Sequence, residues 1–222
     1  MLKILTYVTN ADHSNLRQLR QKLPIEFVPN LIAWTGSFYA KAFGVHEFVK
    51  SLPDDDIIVL LDGYDVLPFN GCTAETLRDA VETHFDLDKV TFNAETNCFP
   101  AAELAQKYPK APGKWRYLNA GLYAGKVSAV KRMYDEMLED IVRVGDDQHA
   151  LSLLFLSQPG LLALDYECRV FQSLYNGSVG AGVNMPDFVI DGTTIRNKQF
   201  DTTPLLFHGN GLINMASLMP CF

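Results

Sequence analysis

Ile57-Ile58-Val59-Leu60-Leu61-Asp62-Gly63-Tyr64-Asp65 is the stretch whose reading decides the fold. The apolar run is short and β-branched, and Asp-Gly is turn chemistry, so a buried strand ends here at a tight polar turn. Asp62 and Asp65 then stand where the strand meets solvent and could converge on one ion. Such hard oxygen ligands suit Mg²⁺ or Mn²⁺, because these ions keep open positions for substrate phosphates when a protein supplies one or two carboxylates. A solvated acidic turn after a core strand would look the same in isolation.

On both sides of this strand, extended and helical patterns alternate. Leu2 to Val8 reads as a strand, and Asn10 and Asp12 are cap candidates for a helix through Leu16, Leu19 and Leu23. Ile25 to Ile32 is strand-like but interrupted by Pro29, and Lys41 to Leu52 has near-helical spacing. Beyond the turn, Thr73 caps a helix reaching about Phe85, Val90 to Ala94 reads as a strand, and Val127 to Val142 as a long helix. Asp146-Asp147-Gln148 opens an apolar helix through Leu151, Leu154 and Phe155. Short strands broken by Gly and Pro follow, with Asn176 to Pro186 expected as a mobile loop. The order predicts an α/β fold with a mainly parallel central sheet flanked by helices, as one domain over residues 1–222.

The chain has 222 residues, 48% of them hydrophobic and 20% charged, which fits one soluble α/β domain with a sizeable core. No run approaches the ~18 apolar residues of a membrane span. A net charge of −7 argues against nucleic acid and anionic membranes as broad electrostatic partners. Met1-Leu2-Lys3 leads into a strand without the pattern of a secretory signal, so the expectation is a cytoplasmic protein, or one of the secretory-pathway lumen if the chain is a processed fragment. Cys72, Cys98, Cys168 and Cys221 form no C-x-x-C pair and read as isolated thiols.

His208-Gly209-Asn210-Gly211 follows Leu205-Leu206-Phe207, so a second strand end presents a metal-capable side chain beside glycines that let backbone N–H groups approach a ligand. A lone histidine there is usually structural; pairing with Asp62 and Asp65 gives it weight. In open α/β sheets, ligands collect outside the carboxyl ends of strands. Phe92-Asn93-Ala94-Glu95, Leu118-Asn119-Ala120-Gly121 and Asp146-Asp147-Gln148 add polar groups after apolar segments or at helix starts. Asp146 and Asp147 would serve equally as helix caps.

Taken in order, these segments resemble the glycosyltransferase domain of the procollagen lysyl hydroxylase family. The match runs from Thr6-Tyr7-Val8-Thr9 through Trp34, Lys41 and Leu61-Asp62-Gly63-Tyr64-Asp65-Val66 to Phe92-Asn93-Ala94-Glu95 with Cys98 and Pro100. It continues through Tyr108-Pro109, Leu118-Asn119-Ala120-Gly121, Asp146-Asp147-Gln148, Leu164-Asp165 and Phe171-Gln172-Ser173-Leu174 to Asp201-Thr202-Thr203-Pro204 and His208-Gly209-Asn210-Gly211. The resemblance implies a GT-A type Rossmann-like glycosyltransferase fold with Mn²⁺ bridging the protein and a UDP-sugar. It implies Asp62, Asp65 and His208 as metal ligands, and Tyr64 as the aromatic against the uracil. Thr9, Lys41, Asn210 and Gly211 fall among the donor contacts, and Asp146, Asp147, Glu95 and Asn119 are the catalytic candidates.

Three departures lie near the expected sugar or acceptor site. Phe99 stands where the family has tryptophan, Gly145-Asp146-Asp147 replaces a longer acidic run, and Leu212 and Asn214 replace a proline and a lysine. The expected activity is metal-dependent transfer of glucose or galactose from UDP-glucose or UDP-galactose to a hydroxyl. The inherited acceptor is hydroxylysine or galactosyl-hydroxylysine of a collagen-like chain. The alternatives are a UDP-sugar and metal-binding module without turnover, the same chemistry on a glycan, small-molecule or modified-nucleobase hydroxyl, and a metal-dependent phosphohydrolase.

Overall fold

The computed structural model describes residues 1–34, 36 and 38–222. In chain order its principal elements are β1 (Leu2–Thr6), α1 (Ser14–Lys22), β2 (Ile25–Phe27), α2 (Phe38–Lys50), β3 (Ile57–Leu61), β4 (Val66–Pro68), α3 (Ala74–His84) and β5 (Val90–Glu95). They continue with β6 (Tyr117–Lys126), α4 (Val127–Val144), α5 (Asp147–Ser157), β7 (Leu162–Asp165), β8 (Phe171–Ser173), β9 (Phe188–Asp191), β10 (Thr194–Asn197) and β11 (Leu206–His208).

The central sheet runs β2-β1-β3-β6-β5-β7. All its pairings are parallel except those of β6, which lies antiparallel between β3 and β5. Helices cover both faces, which explains the unbroken apolar run of β3. Ile58 and Leu60 pack on one side with residues of α2, α4 and α5, while Ile57, Val59 and Leu61 pack on the other with residues of α1 and α3. A second sheet, β4-β11-β8, and the β9–β10 hairpin lie around a third apolar cluster containing Phe69, Phe188, Ile195 and Phe207.

The antiparallel β6 positions the site. Because it runs against its neighbours, its first residues lie beside the last residues of β3 and β5, and Asn93 to Glu95 pair with Asn119 to Tyr117. Leu61 pairs with Leu122, and Asp62 N–H donates to Gly121 O at 2.9 Å. Asp62, Glu95 and Asn119 therefore share one edge. The sequence reading contains no strand at Tyr117–Lys126, and this is a correction. Its Ala and Gly content lowers β propensity, and burial on both faces removes alternation.

The caps divide as well. Thr73 Oγ1 accepts from Thr76 N and Asp146 Oδ1 from His149 N, as expected for α3 and α5. Asn10 and Asp12 do not cap α1, whose N-cap residue is His13; Asn10 instead accepts from Asp12 N in a local turn. The four cysteines are free thiols. Among the described residues, no helix is long and apolar enough to cross a membrane.

Candidate active site

The β3–β4 turn brings Asp62 and Asp65 together, and β11, paired with β4 in the second sheet, delivers His208 to the same place. One ligand atom from each of Asp62, Asp65 and His208 lies within 4.8 Å of the others. His208 Nε2 is 3.3 Å from Asp65 Oδ2. Two carboxylates and an imidazole are a suitable donor set for a divalent first-row cation.

The tautomer of His208 suits that role. Gly121 N–H donates to Asn119 Oδ1 at 3.0 Å, and Asn119 Nδ2 donates to Glu95 Oε1 at 3.1 Å, which fixes the amide with its oxygen toward the imidazole. His208 Nδ1 lies 2.8 Å from that oxygen and carries the proton, leaving Nε2 to face Asp65. An outer hydrogen bond of this type orients metal-binding histidines. Burial disfavours the His208 cation, but Asp65, Asp62 and Glu95 outweigh it and raise the pKa. Burial likewise opposes Asp65 ionisation, yet His208 and Lys41 hold that carboxyl below its ordinary value.

Gly121 makes room for the imidazole. A Cβ at this position would lie 2.1 Å from His208 Cε1, so any side chain would displace the ring. Gly211 has φ of +73°, and an added Cβ would meet the Tyr175 ring at 2.6 Å.

Two cavity lobes meet at these carboxylates. One, of about 530 Å³, is walled by Tyr7, Trp34, Tyr64, Leu212 and Met215, with Thr9, His13 and Asn15 among its polar residues. The other, of about 380 Å³, is lined by Glu95, Asn119, Asp146, Asp147, Gln148 and Asn210, with Phe99 and Val179 at its apolar side. Phe38, Lys41, Asp62 and Asp65 belong to both.

Lys41, from α2, ties the lobes electrostatically. Its Nζ lies 2.8 Å from Asp62 Oδ1 and 3.4 Å from Asp147 Oδ2. Burial opposes its charge, but these carboxylates overcome that and keep it protonated. Asp147 also accepts from Gln148 N at 2.8 Å, and its pKa is raised by burial against the opposing pull of Lys41.

Glu95 lies in an amide cage. Asn119 and Gln148 donate to Oε1, the latter at 2.8 Å, and Asn210 donates to Oε2 at 2.9 Å. Burial nevertheless pushes its pKa up to about 7. Asn210 Oδ1 accepts from Ser173 Oγ and Tyr175 N, so its amide points to Glu95. Gln148 also accepts from Ala120 N and donates to Phe99 O, joining β6, α5 and the Phe99 segment. Sequence reasoning gave Gln148 no individual role; its place after Asp146-Asp147 was the available signal.

Tyr64 lines the larger lobe with its hydroxyl fully engaged. It accepts from Thr9 N at 2.7 Å and Asn10 N at 2.6 Å and lies 3.2 Å from Thr9 Oγ1. Only its ring is left for a ligand. All twelve residues singled out from the sequence for metal, donor or catalysis, Thr9, Lys41, Asp62, Tyr64, Asp65, Glu95, Asn119, Asp146, Asp147, His208, Asn210 and Gly211, line one lobe or the other.

Residues 44–218 match the family model described as the PLOD GT domain. The human multifunctional procollagen lysine hydroxylase and glycosyltransferase LH3 is 30% identical over 231 residues, covering 95% of this chain and 30% of that protein. The uncharacterized protein R699 of Acanthamoeba polyphaga mimivirus is 32% identical over 163 residues, covering 73% of this chain and 33% of its own length. The chain thus spans about a third of either relative. A glycosyltransferase involved in glycosylation of the major capsid of PBCV-1 superposes with a TM-score of 0.55 at 9% identity, over 99% of this chain and 97% of that structure. Mouse xyloside xylosyltransferase 1, in its apo form, gives 0.51 at 13% identity over 79% and 88%. The fold is of the GT-A type.

Proposed function

The chain belongs to the PLOD GT domain family, and we propose that it is a metal-dependent hexosyltransferase using UDP-glucose or UDP-galactose. The observation that carries this reading is the sharing of Asp62 and Asp65 by both lobes. A diphosphate at their junction would leave the nucleoside in the aromatic lobe and the sugar among Glu95, Asn119, Asp147 and Asn210.

Asp62, Asp65 and His208 would hold Mn²⁺, or Mg²⁺ in its place. Such an ion supplies charge neutralisation as the diphosphate leaves. Tyr64 offers its ring to the base, with Thr9 fixing that ring and Lys41 balancing the acids beside the diphosphate. The acceptor oxygen forms a bond to the anomeric carbon, the bond from that carbon to the phosphate oxygen breaks, and UDP departs with the electron pair. In an inverting reaction the acceptor proton passes to Asp147 or Glu95; in a retaining one it passes to the departing phosphate oxygen on the same face. A carboxyl titrating near neutrality suits Glu95 to proton transfer. Asp146 has one oxygen engaged in capping α5, which places it behind both.

The acceptor belongs to the same proposal: a hydroxyl such as that of hydroxylysine in a collagen-like chain, or of a glycan, small molecule or modified nucleobase. The opposing reading, a UDP-sugar and metal-binding module without turnover, draws on the engagement of Asp147 by Lys41 and Gln148 N. Incubation with each UDP-sugar and Mn²⁺ separates the two. Release of UDP supports the transferase, whereas saturable binding without release supports the module. Asp147→Asn should impair transfer more than UDP binding; equal loss of both would assign Asp147 a structural role.

A further inference from the structure

Among the described residues, four that are not glycine have a positive φ: Asn70, Cys168, Asp201 and Leu212. Asparagine and aspartate tolerate this left-handed conformation, and here both side chains are also engaged. Asn70 Nδ2 donates to the carbonyls of Ile195 and Pro204, and Asp201 pairs with Arg196. Cys168 is buried in the main core, where packing offsets the strain. Leu212 has neither compensation. Its φ is +62° and it is 75% exposed, so a large apolar residue stands in a disfavoured backbone conformation while burying little surface in the fold.

The turn around Leu212 is held from both sides. Gly180 N–H donates to Gly211 O at 2.9 Å, Ile213 N–H to Gly209 O at 2.9 Å and Asn214 N–H to Ala181 O at 2.8 Å. The chain crosses here from one lobe to the other: His208, Asn210 and Gly211 line the acidic lobe, and Leu212 and Ile213 line the aromatic one. Strain that the surrounding structure holds in place is a pointer to function. We propose that Leu212 is an apolar binding contact for the nucleoside of the donor, held out from the fold at the rim of the aromatic lobe and covered when that ligand binds. This rests on the reading that the nucleoside occupies the aromatic lobe. An aliphatic side chain gains by packing on the face of a base or on ribose carbons, and it places no demand on the hydrogen-bonding pattern of the base.

The test is titration of the wild type, Leu212→Asn, Leu212→Met and Tyr64→Ala, with UDP in the presence of Mn²⁺ followed by calorimetry and with Mn²⁺ alone followed by electron paramagnetic resonance. Leu212→Asn eases the left-handed strain and removes the apolar surface. It should melt no lower than the wild type, bind Mn²⁺ alone equally well and bind UDP about 3- to 20-fold more weakly. Leu212→Met keeps an apolar side chain and should recover most of that affinity. Unchanged UDP affinity in Leu212→Asn, equal loss in the Asn and Met variants, or a parallel loss of Mn²⁺ affinity, which would place the effect at His208, overturns the inference while a UDP site sensitive to Tyr64→Ala still stands. Absence of UDP binding to the wild type, or indifference to Tyr64→Ala, would instead overturn the underlying reading. If Leu212→Asn melts early, methyl NMR of the wild type decides: the Leu212 methyl resonances should move on adding UDP with Mg²⁺ but not Mg²⁺ alone, and stationary signals contradict the proposal.

Discussion

The two lobes of the cleft solve opposite problems. Around Glu95, the amides of Asn119, Gln148 and Asn210 all point at one carboxylate and are themselves held by backbone groups or side chains. The lobe beside Tyr64 has rigid aromatic walls but leaves Tyr7 Oη and His13 Nδ1 unpartnered. The first arrangement is suited to holding a carboxylate in one place, and the second to offering ring faces to a planar ligand. The difference teaches that substitutions on the two sides should separate: the amide-cage side should govern turnover and cation binding, and the aromatic side nucleotide affinity.

Disturbance at the junction should abolish that separation. Asp65→Ala is expected to reduce Mn²⁺-dependent UDP release by at least about 100-fold while circular dichroism retains the wild-type fold. Full activity would remove the metal assignment. Gly121→Ala should follow closely, because the new methyl occupies the imidazole's position. Its signature is loss of Mn²⁺ affinity with lowered thermal stability, and a variant binding Mn²⁺ normally would show that His208 does not contribute. Asn119→Ala should weaken Mn²⁺ binding about 10- to 100-fold, since it removes the acceptor that fixes the His208 tautomer. A change in turnover alone would confine Asn119 to the acidic lobe.

The smallest expected effect concerns pH. Burial raises the Glu95 pKa from an ordinary 4.5 to about 7 in the folded protein, so across that interval the folded state binds more protons than the unfolded chain. Stability from this group is therefore highest below the unfolded value and falls as pH rises through about 7. Glu95→Gln should flatten that part of the stability curve in metal-free protein, measured by urea unfolding from acid to neutral pH. A variant retaining the full wild-type slope would assign the effect elsewhere, with Asp147, also raised by burial, the next group to vary.

Much of the turn that carries Asp62 and Asp65 was legible because its signals are local. A β-branched apolar run ending in Asp-Gly announces strand and turn within a few residues, and Thr73 and Asp146 announced their helices by cap chemistry. The resemblance to a family then gathered His208 and Glu95 from distant strand ends. The direction of β6 was not legible, since antiparallel insertion depends on pairing with β3 and β5 rather than on the Ala- and Gly-rich strand itself. Missing that strand obscured why Asn119 reaches both Glu95 and His208. Gln148 was hidden by its neighbours, because two acids at a helix start draw attention to capping and away from the amide that follows. Nothing in the sequence marks Tyr7 Oη and His13 Nδ1 as unpartnered: such an atom is visible only in the fold.

The central claim is that a cation at Asp62, Asp65 and His208 joins the two lobes. Electron paramagnetic resonance of Mn²⁺ titrated into wild type and His208→Ala, with and without UDP, tests it most directly. We predict that the wild type binds Mn²⁺, that UDP strengthens the binding, and that His208→Ala loses at least about tenfold in affinity. Equal Mn²⁺ binding by both proteins, indifferent to UDP, would contradict the account.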